Sequence, residues 1–228
     1  DIFQFFSNPP YKVIFDNHDD TEDVLNLMEQ VILPVTVLES LDYFREYDYH
    51  TYRHMLMIFA ISTLLAKIII PDYQRLILNA TADPSHYLGK ICVPIDILMK
   101  RDPLTRDERN VLFQHPVAGY VLLCYYTKDM NNFSAKVARD HHERLAGSGY
   151  MRGVKLKDPM VEIVAVSDVY DALISPRRFG RRHLTTASPG GGYCHGPEGS
   201  DRLGRSAGID LPESYRQALF SQFQGLFE

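Results

Sequence analysis

Two adjacent histidines, His141 and His142, stand among charges at the end of an apolar helical segment, in the stretch Arg139 to Met151. Neighbours on a helix point about 100° apart, so one apolar socket cannot receive both imidazoles, whereas a metal cluster beside the helix can. A pair of solvated surface histidines is the plain alternative for this stretch taken alone. The rest of the chain bears on the choice. His50 and His54 lie four residues apart on one helical face, and His54 opens a strongly apolar segment in which an imidazole needs a partner. His86 and Lys90 have the same spacing beside Gly89, His115 precedes Pro116, and Asp168 and Asp171 are enclosed by Ile163, Val164, Val166, Val169 and Leu173. An aspartate inside such a segment is rarely idle. His54, His86, His115, His141, His142 and Asp168 come from five helical segments and are hard to place in one bundle unless they converge. Imidazoles with a carboxylate suit iron, manganese or zinc, and a set larger than one ion needs points to two.

The elements that must position these groups belong to an ordinary globular chain. Its 228 residues are 45% hydrophobic and 23% charged, enough for a sizeable core in one domain with a small appendage. A net charge of −5 and a pI near 6.0 argue against binding a nucleic-acid polymer, although Arg177 to Arg182 forms a basic cluster suited to phosphate. Cys92, Cys124 and Cys194 are odd in number and far apart, which suggests neither a disulfide framework nor a zinc ribbon and fits a reducing cytoplasm. The apolar run from Met55 to Ile70 is interrupted by Ser62, Thr63 and Lys67 and is short for a bilayer span, so no direct membrane crossing is expected. The chain starts at an internal-looking Asp1, which leaves room for a sensory or membrane region upstream in a longer parent.

Periodicity predicts a mainly helical chain. Residues 1–20 read as an extended lead-in, with Tyr11 to Phe15 the one strand candidate. Thr21 starts a helix whose apolar spacing runs from Val24 to Leu41, with a kink expected at Pro34. A second helix is expected over Tyr49 to Ile69, and a third from Tyr73 to about Ala82. Thr105 caps a long helix with Asp107 and Glu108 in its first turn; this helix carries His115 and is expected to be distorted at Pro116. The next helix starts near Asn132 and ends at His141-His142, a glycine-punctuated loop follows from Gly147 to Gly153, and Asp158-Pro159 starts another helix. Residues 176–210 read as an irregular loop, and Leu211 to Phe227 as a closing helix.

The motifs that these elements carry resemble the HD-GYP family of cyclic di-GMP phosphodiesterases, within the HD-domain metal phosphohydrolases. The match covers roughly Asp48 to Arg178. Its motifs are His86-Tyr87-Leu88-Gly89-Lys90-Ile91-Cys92-Val93-Pro94 where the family has HDIGK-x-x-VP, Leu104-Thr105-Arg106-Asp107-Glu108, Gln114-His115-Pro116-Val117-Ala118-Gly119, His141-His142-Glu143-Arg144, Gly147-Ser148-Gly149-Tyr150 and Ser167-Asp168-Val169-Tyr170-Asp171-Ala172-Leu173. Within the family the combination looks close to an unconventional member.

The resemblance implies an all-α HD-domain bundle with a dinuclear metal site at its centre, in which residues 1–47 form a lead-in and linking helix and 48–228 the domain itself. It implies His54, His86, His115, His141, His142 and Asp168 as ligands of two transition-metal ions, iron first and manganese or zinc as alternatives. Lys90 and Arg177 would hold substrate phosphate, Lys90 and Asp168 would serve catalysis, and His50 and Tyr87 are candidates for an additional metal. The reaction implied is hydrolysis of cyclic di-GMP through a metal-bound hydroxide, in the bacterial cytoplasm. Three departures stand out: Tyr87 in the place of the HD aspartate, Met151 for the GYP proline and Ala146 where an aspartate is common. Asp83 is a conceivable substitute for the missing carboxylate. Because of Tyr87, a second reading stands beside the first, a weak or inactive member that binds nucleotide or a protein partner, such as a GGDEF diguanylate cyclase, through the loop Gly147 to Gly153.

Overall fold

A computed structural model describes residues 2–74 and 85–175. Asp83, Arg177, the rest of the basic cluster, the loop expected at 176–210, the closing helix expected after it and most of the helix expected from Tyr73 lie outside the described residues. Within them the chain is helical and carries no strand, only one isolated bridge between Arg144 and Lys155.

The first residues depart from the expected lead-in. Ile2–Phe6 (α1) and Tyr11–Ile14 (α2) are short helices, so the strand expected at Tyr11 to Phe15 is mostly a helical turn. Phe5, Phe6, Tyr11 and Ile14 are buried in the main core. With Phe15, also buried there, five hydrophobic or aromatic side chains in so short a segment gain more by burial than by extension, at about 1.5–3 kcal/mol for each large side chain.

The helix expected over Val24 to Leu41 is two helices. His18–Gln30 (α3) begins at Asn17, whose side chain accepts from the backbone N–H groups of Asp19 and Asp20. Val31 is extended, and Val35–Tyr47 (α4) restarts after Pro34. A proline disfavours helical backbone in the residue before it, so Pro34 separates two helices where a kink was expected. Asp48 then caps Tyr49–Ile69 (α5), accepting from the Thr51 N–H and hydroxyl. This helix has the expected bounds and forms the centre of the core: from Met55 to Ala66 nearly every side chain is buried. It is long and apolar enough to cross a membrane, but 67% of its apolar window is buried inside this fold, where Lys67 ties it to Asp20 and Asp23 of α3.

A 3-10 turn, Leu88–Cys92, is followed by Ile95–Leu98 (α6). Arg106–Leu112 (α7) carries the expected Thr105 cap as a full capping box with Glu108. The long helix predicted through His115 breaks before it. His115–Thr127 (α8) is a new helix with Pro116 in its first turn, where a missing N–H costs nothing, so no mid-helix distortion arises. Phe133–Asp140 (α9) and Pro159–Ile174 (α10) follow, capped by Asn132 and Asp158 as their sequences indicate. In the assembled bundle α5 packs against α10 and α4, while α8 packs against α9 and the 3-10 turn. The turn lies directly on α8: a Cβ on Gly89 would sit 1.9 Å from the His115 carbonyl oxygen. Only glycine permits that approach, which seats His86 and Tyr87 against His115.

Candidate metal centre

The helix ends and the 3-10 turn deliver their polar side chains to one place. His115 at the start of α8, and His141 and His142 just after α9, turn their rings together, with ligand nitrogens all within 4.8 Å of one another. The Nε2 of His115 lies 3.3 Å from the Nε2 of His141 and 3.2 Å from that of His142. The other nitrogens explain this geometry. His115 Nδ1 bonds the Leu112 carbonyl at 2.7 Å, and His141 Nδ1 bonds the Ala138 carbonyl at 2.8 Å. A carbonyl only accepts, so in both rings the proton resides on Nδ1 and the Nε2 lone pairs face one another. Two lone pairs aimed at one point repel unless a cation lies between them.

The charges agree with neutral rings. Burial, reinforced by its neighbours His141 and Lys90, holds His115 well below the usual imidazole range. Burial likewise pushes His142 well down, again with His141 adding, and lowers His141 to about 4. The donor set, neutral imidazoles of which His115 and His141 have the second nitrogen anchored on the backbone, is one that divalent transition metals take.

The other side of the centre is built around Asp168. Its Oδ1 lies 3.0 Å from His54 Nε2 and accepts the Tyr87 hydroxyl, while its Oδ2 is 3.8 Å from His142 Nδ1. Burial would raise the Asp168 carboxyl, but the hydrogen bond from His54 and the electrostatic interaction with the His142, His54 and His141 side chains hold it well below the usual carboxylate range. Asp168 is therefore a buried anion that links His54 to the three-histidine cluster. His54 Nδ1 meets Asp171 Oδ2 at 2.5 Å. Burial acts to lower His54, yet the Asp171 and Asp168 carboxylates outweigh it and leave its pKa raised.

His86 is fully buried, its ring 4.2 Å from that of Tyr87 and 5.1 Å from that of His141. All six expected ligands thus border one volume, with Tyr87 at its middle: the Tyr87 ring lies 5.1 Å from His54 and 5.5 Å from each of His115 and His141. Burial, then Asp168, pushes the Tyr87 hydroxyl well above its ordinary value, so it is a neutral donor. Lys90 holds its ammonium 3.6 Å over the Tyr87 ring, a cation–π contact, and burial lowers its pKa against the pull of Asp168 and Asp48. His50 sits farther out, its ring 6.3 Å from that of His54 and its pKa lowered by burial to about 4.

Residues outside the expected set support the centre. Asp171 orients His54, a part that its place in an apolar segment hinted at. Tyr11 donates to Asp171 from the far end of the chain, which no local pattern announced. Glu143, completely buried, accepts the backbone N–H groups of Arg152 and Val154 at 2.6 and 3.0 Å and so closes the loop Gly147 to Gly153 on itself. That loop returns Tyr150 onto His142 in a stack at 4.5 Å, with Phe113 stacked beyond it at 4.4 Å.

Residues 50–189 match the HD domain family, and the chain belongs to it. Over 100 residues it is 44% identical to the cyclic di-GMP phosphodiesterase response regulator RpfG of Xanthomonas campestris pv. campestris, covering 43% of this chain and 26% of that protein. It is 35% identical over 152 residues to a cyclic di-GMP phosphodiesterase of Thermotoga maritima, covering 63% of this chain and 40% of the relative. With the cyclic di-GMP phosphodiesterase PA4108 of Pseudomonas aeruginosa it shares 31% over 168 residues, 70% of this chain and 40% of that protein. The matched region thus spans between a quarter and two fifths of the length of these relatives.

Proposed function

We propose that this chain is a metal-dependent phosphodiesterase of the HD-GYP type that hydrolyses cyclic di-GMP. The observation that carries the reading is the facing of the His115, His141 and His142 ring nitrogens beside a buried, ionised Asp168. The names of the relatives supply the substrate class. In this reading His115, His141, His142, His86, His54 and Asp168 hold two transition-metal ions, iron first and manganese or zinc as alternatives. When bound, such ions supply positive charge against the phosphoryl oxygens and acidify water. The protein's own groups do the rest. The backbone carbonyls of Leu112 and Ala138 keep the imidazole lone pairs pointed inward. Lys90, whose side-chain nitrogen lies over the Tyr87 ring, meets a non-bridging phosphate oxygen and compensates the negative charge that grows there, with Arg177 as a further phosphate contact. Asp168 serves the reaction as an ionised carboxylate between His54 and His142.

A second reading rests on Tyr87. A protonated phenol sits where the family has a carboxylate, donates to Asp168 and lies 2.9 Å from His54 Nε2. It takes up coordination capacity on both groups and supplies no negative charge, which favours a weakly active or inactive member that binds nucleotide, or a diguanylate cyclase through the loop Gly147 to Gly153. The readings separate on one preparation. Protein purified without chelator is analysed for iron, manganese and zinc and assayed with cyclic di-GMP before and after metal stripping. Metal with turnover that stripping abolishes supports the enzyme; metal or nucleotide binding without turnover supports the second reading. A chain that takes up no transition metal removes the basis of the first.

A further inference from the structure

Asp171 has no solvent exposure, and its two carboxylate oxygens are divided between two partners. Oδ2 meets the His54 Nδ1–H at 2.5 Å, and Oδ1 accepts the Tyr11 hydroxyl. Tyr11 lies on α2, outside the region 50–189 that matches the HD domain family, and its side chain is 1% exposed. Arg53, the residue before His54, extends its guanidinium over the Tyr11 ring at 5.9 Å and donates to Ser175 at the end of α10. The tyrosine is therefore clamped between α5 and α10, with its hydroxyl aimed at the carboxylate that orients His54.

A carboxylate rotates readily about its last bond, because that torsion is broad and roughly two-fold. With one oxygen pinned, the other has a defined direction. We propose that Tyr11 is a positioning residue of the metal centre: by holding Asp171, it sets the ring direction of His54 and so aims His54 Nε2 at Asp168. The inference rests on the metal-centre reading for its functional weight, but the contacts themselves do not depend on a metal. Groups that orient a metal-binding imidazole in this way change metal affinity by about 10- to 100-fold when removed.

The test uses the full chain with Tyr11→Phe, an isosteric change that deletes only the hydroxyl, and Ile14→Val as a packing control on the same helix. Two quantities are read: Mn(II) affinity by titration, and the His54 Nδ1–H resonance in metal-free, nitrogen-15-labelled protein. Tyr11→Phe is expected to weaken Mn(II) binding about tenfold and to shift the His54 resonance, while Ile14→Val changes neither. In an Asp171→Asn background, Tyr11→Phe should have less than about twofold further effect on affinity, because the tyrosine acts through that carboxylate. Equal effects of Tyr11→Phe and Ile14→Val, or full additivity with Asp171→Asn, would overturn the proposal and leave Tyr11 a packing residue. If wild-type protein binds no Mn(II), the metal reading falls, and the His54 resonance alone decides the role of Tyr11: a shift in Tyr11→Phe upholds it, an unchanged resonance ends it.

Discussion

His141 and His54 are both buried imidazoles of one centre, yet they are oriented by opposite means. His141, like His115, is anchored by a carbonyl three residues earlier in its own segment, and its ring is neutral. His54 is anchored by side chains brought from 114 and 117 residues away, Asp168 and Asp171, and its pKa is raised. The first arrangement needs only a local turn. The second needs the assembled bundle, and it is the half that Tyr87 enters, 2.9 Å from His54 Nε2 and donating to Asp168. The locally anchored half is ready to receive a cation as it stands; the assembled half is satisfied internally by hydrogen bonds that a cation must replace.

Acidification should separate the two halves most strongly. His141 has a folded pKa of about 4 against an ordinary 6.5, and His115 and His142 are also lowered. Below pH 6.5 the unfolded chain takes up protons that the native rings refuse, so stability falls until the folded pKa is reached. For His141 alone the loss amounts to about 3 kcal/mol between pH 6.5 and 4. His54 has the opposite sign: its contribution is complete below 6.5 and is lost only as pH rises through its raised folded value. Urea unfolding of metal-stripped protein from pH 7 to 4.5 checks this. Constant or rising stability over that interval would mean that the three-histidine cluster is not held neutral by burial.

The same contrast explains what the sequence disclosed. The histidine pair, the spacing of His50 and His54 and the cap at Thr105 are local patterns; they located the helix starts and the histidine cluster, although the helix capped by Thr105 ends at Leu112. The run from Val24 to Leu41 misled because its apolar spacing continues across the extended residues before Pro34, where φ/ψ preference overrides periodicity. His115 was assigned to the middle of a helix for a related reason, since Pro116 reads as a breaker unless the helix starts there. Tyr11 could not be found at all. Its partner is 160 residues distant, and nothing near it in the chain distinguishes it from the other aromatics of the first helices.

Removing a side chain from the three-histidine cluster should cost more than altering the other half. His142 stands between His115 and Asp168, so its loss separates the cluster from its anion. His142→Ala is expected to lower metal affinity by roughly 100-fold or more, beyond the range seen for supporting groups, and on the proposed function cyclic di-GMP hydrolysis falls in parallel. Equilibrium dialysis against Mn(II) measures the first and product formation the second. A loss under tenfold would place His142 outside the metal shell and leave its stack on Tyr150 as its main role.

The smallest and most informative change is at Tyr87. The phenol is neutral, occupies one oxygen of Asp168 and lies under the Lys90 ammonium, so position 87 brings no negative charge to Asp168 and the neighbouring histidines. Two cations close together need intervening negative charge, and without it the second is held more weakly. Tyr87→Asp supplies that charge and releases Asp168 from the phenol, but it also removes the ring beneath Lys90 and brings a carboxylate near that ammonium. The gain in second-ion affinity is therefore expected to be modest, about tenfold, and on the proposed function it is accompanied by faster hydrolysis of cyclic di-GMP. Tyr87→Asn separates charge from space: it opens a similar volume with no anion and should leave the metal count where it was. If the aspartate and asparagine variants gain equally, the tyrosine acts by blocking access. If neither differs from wild type, position 87 is outside the metal shell and the centre is completed by the residues that surround it.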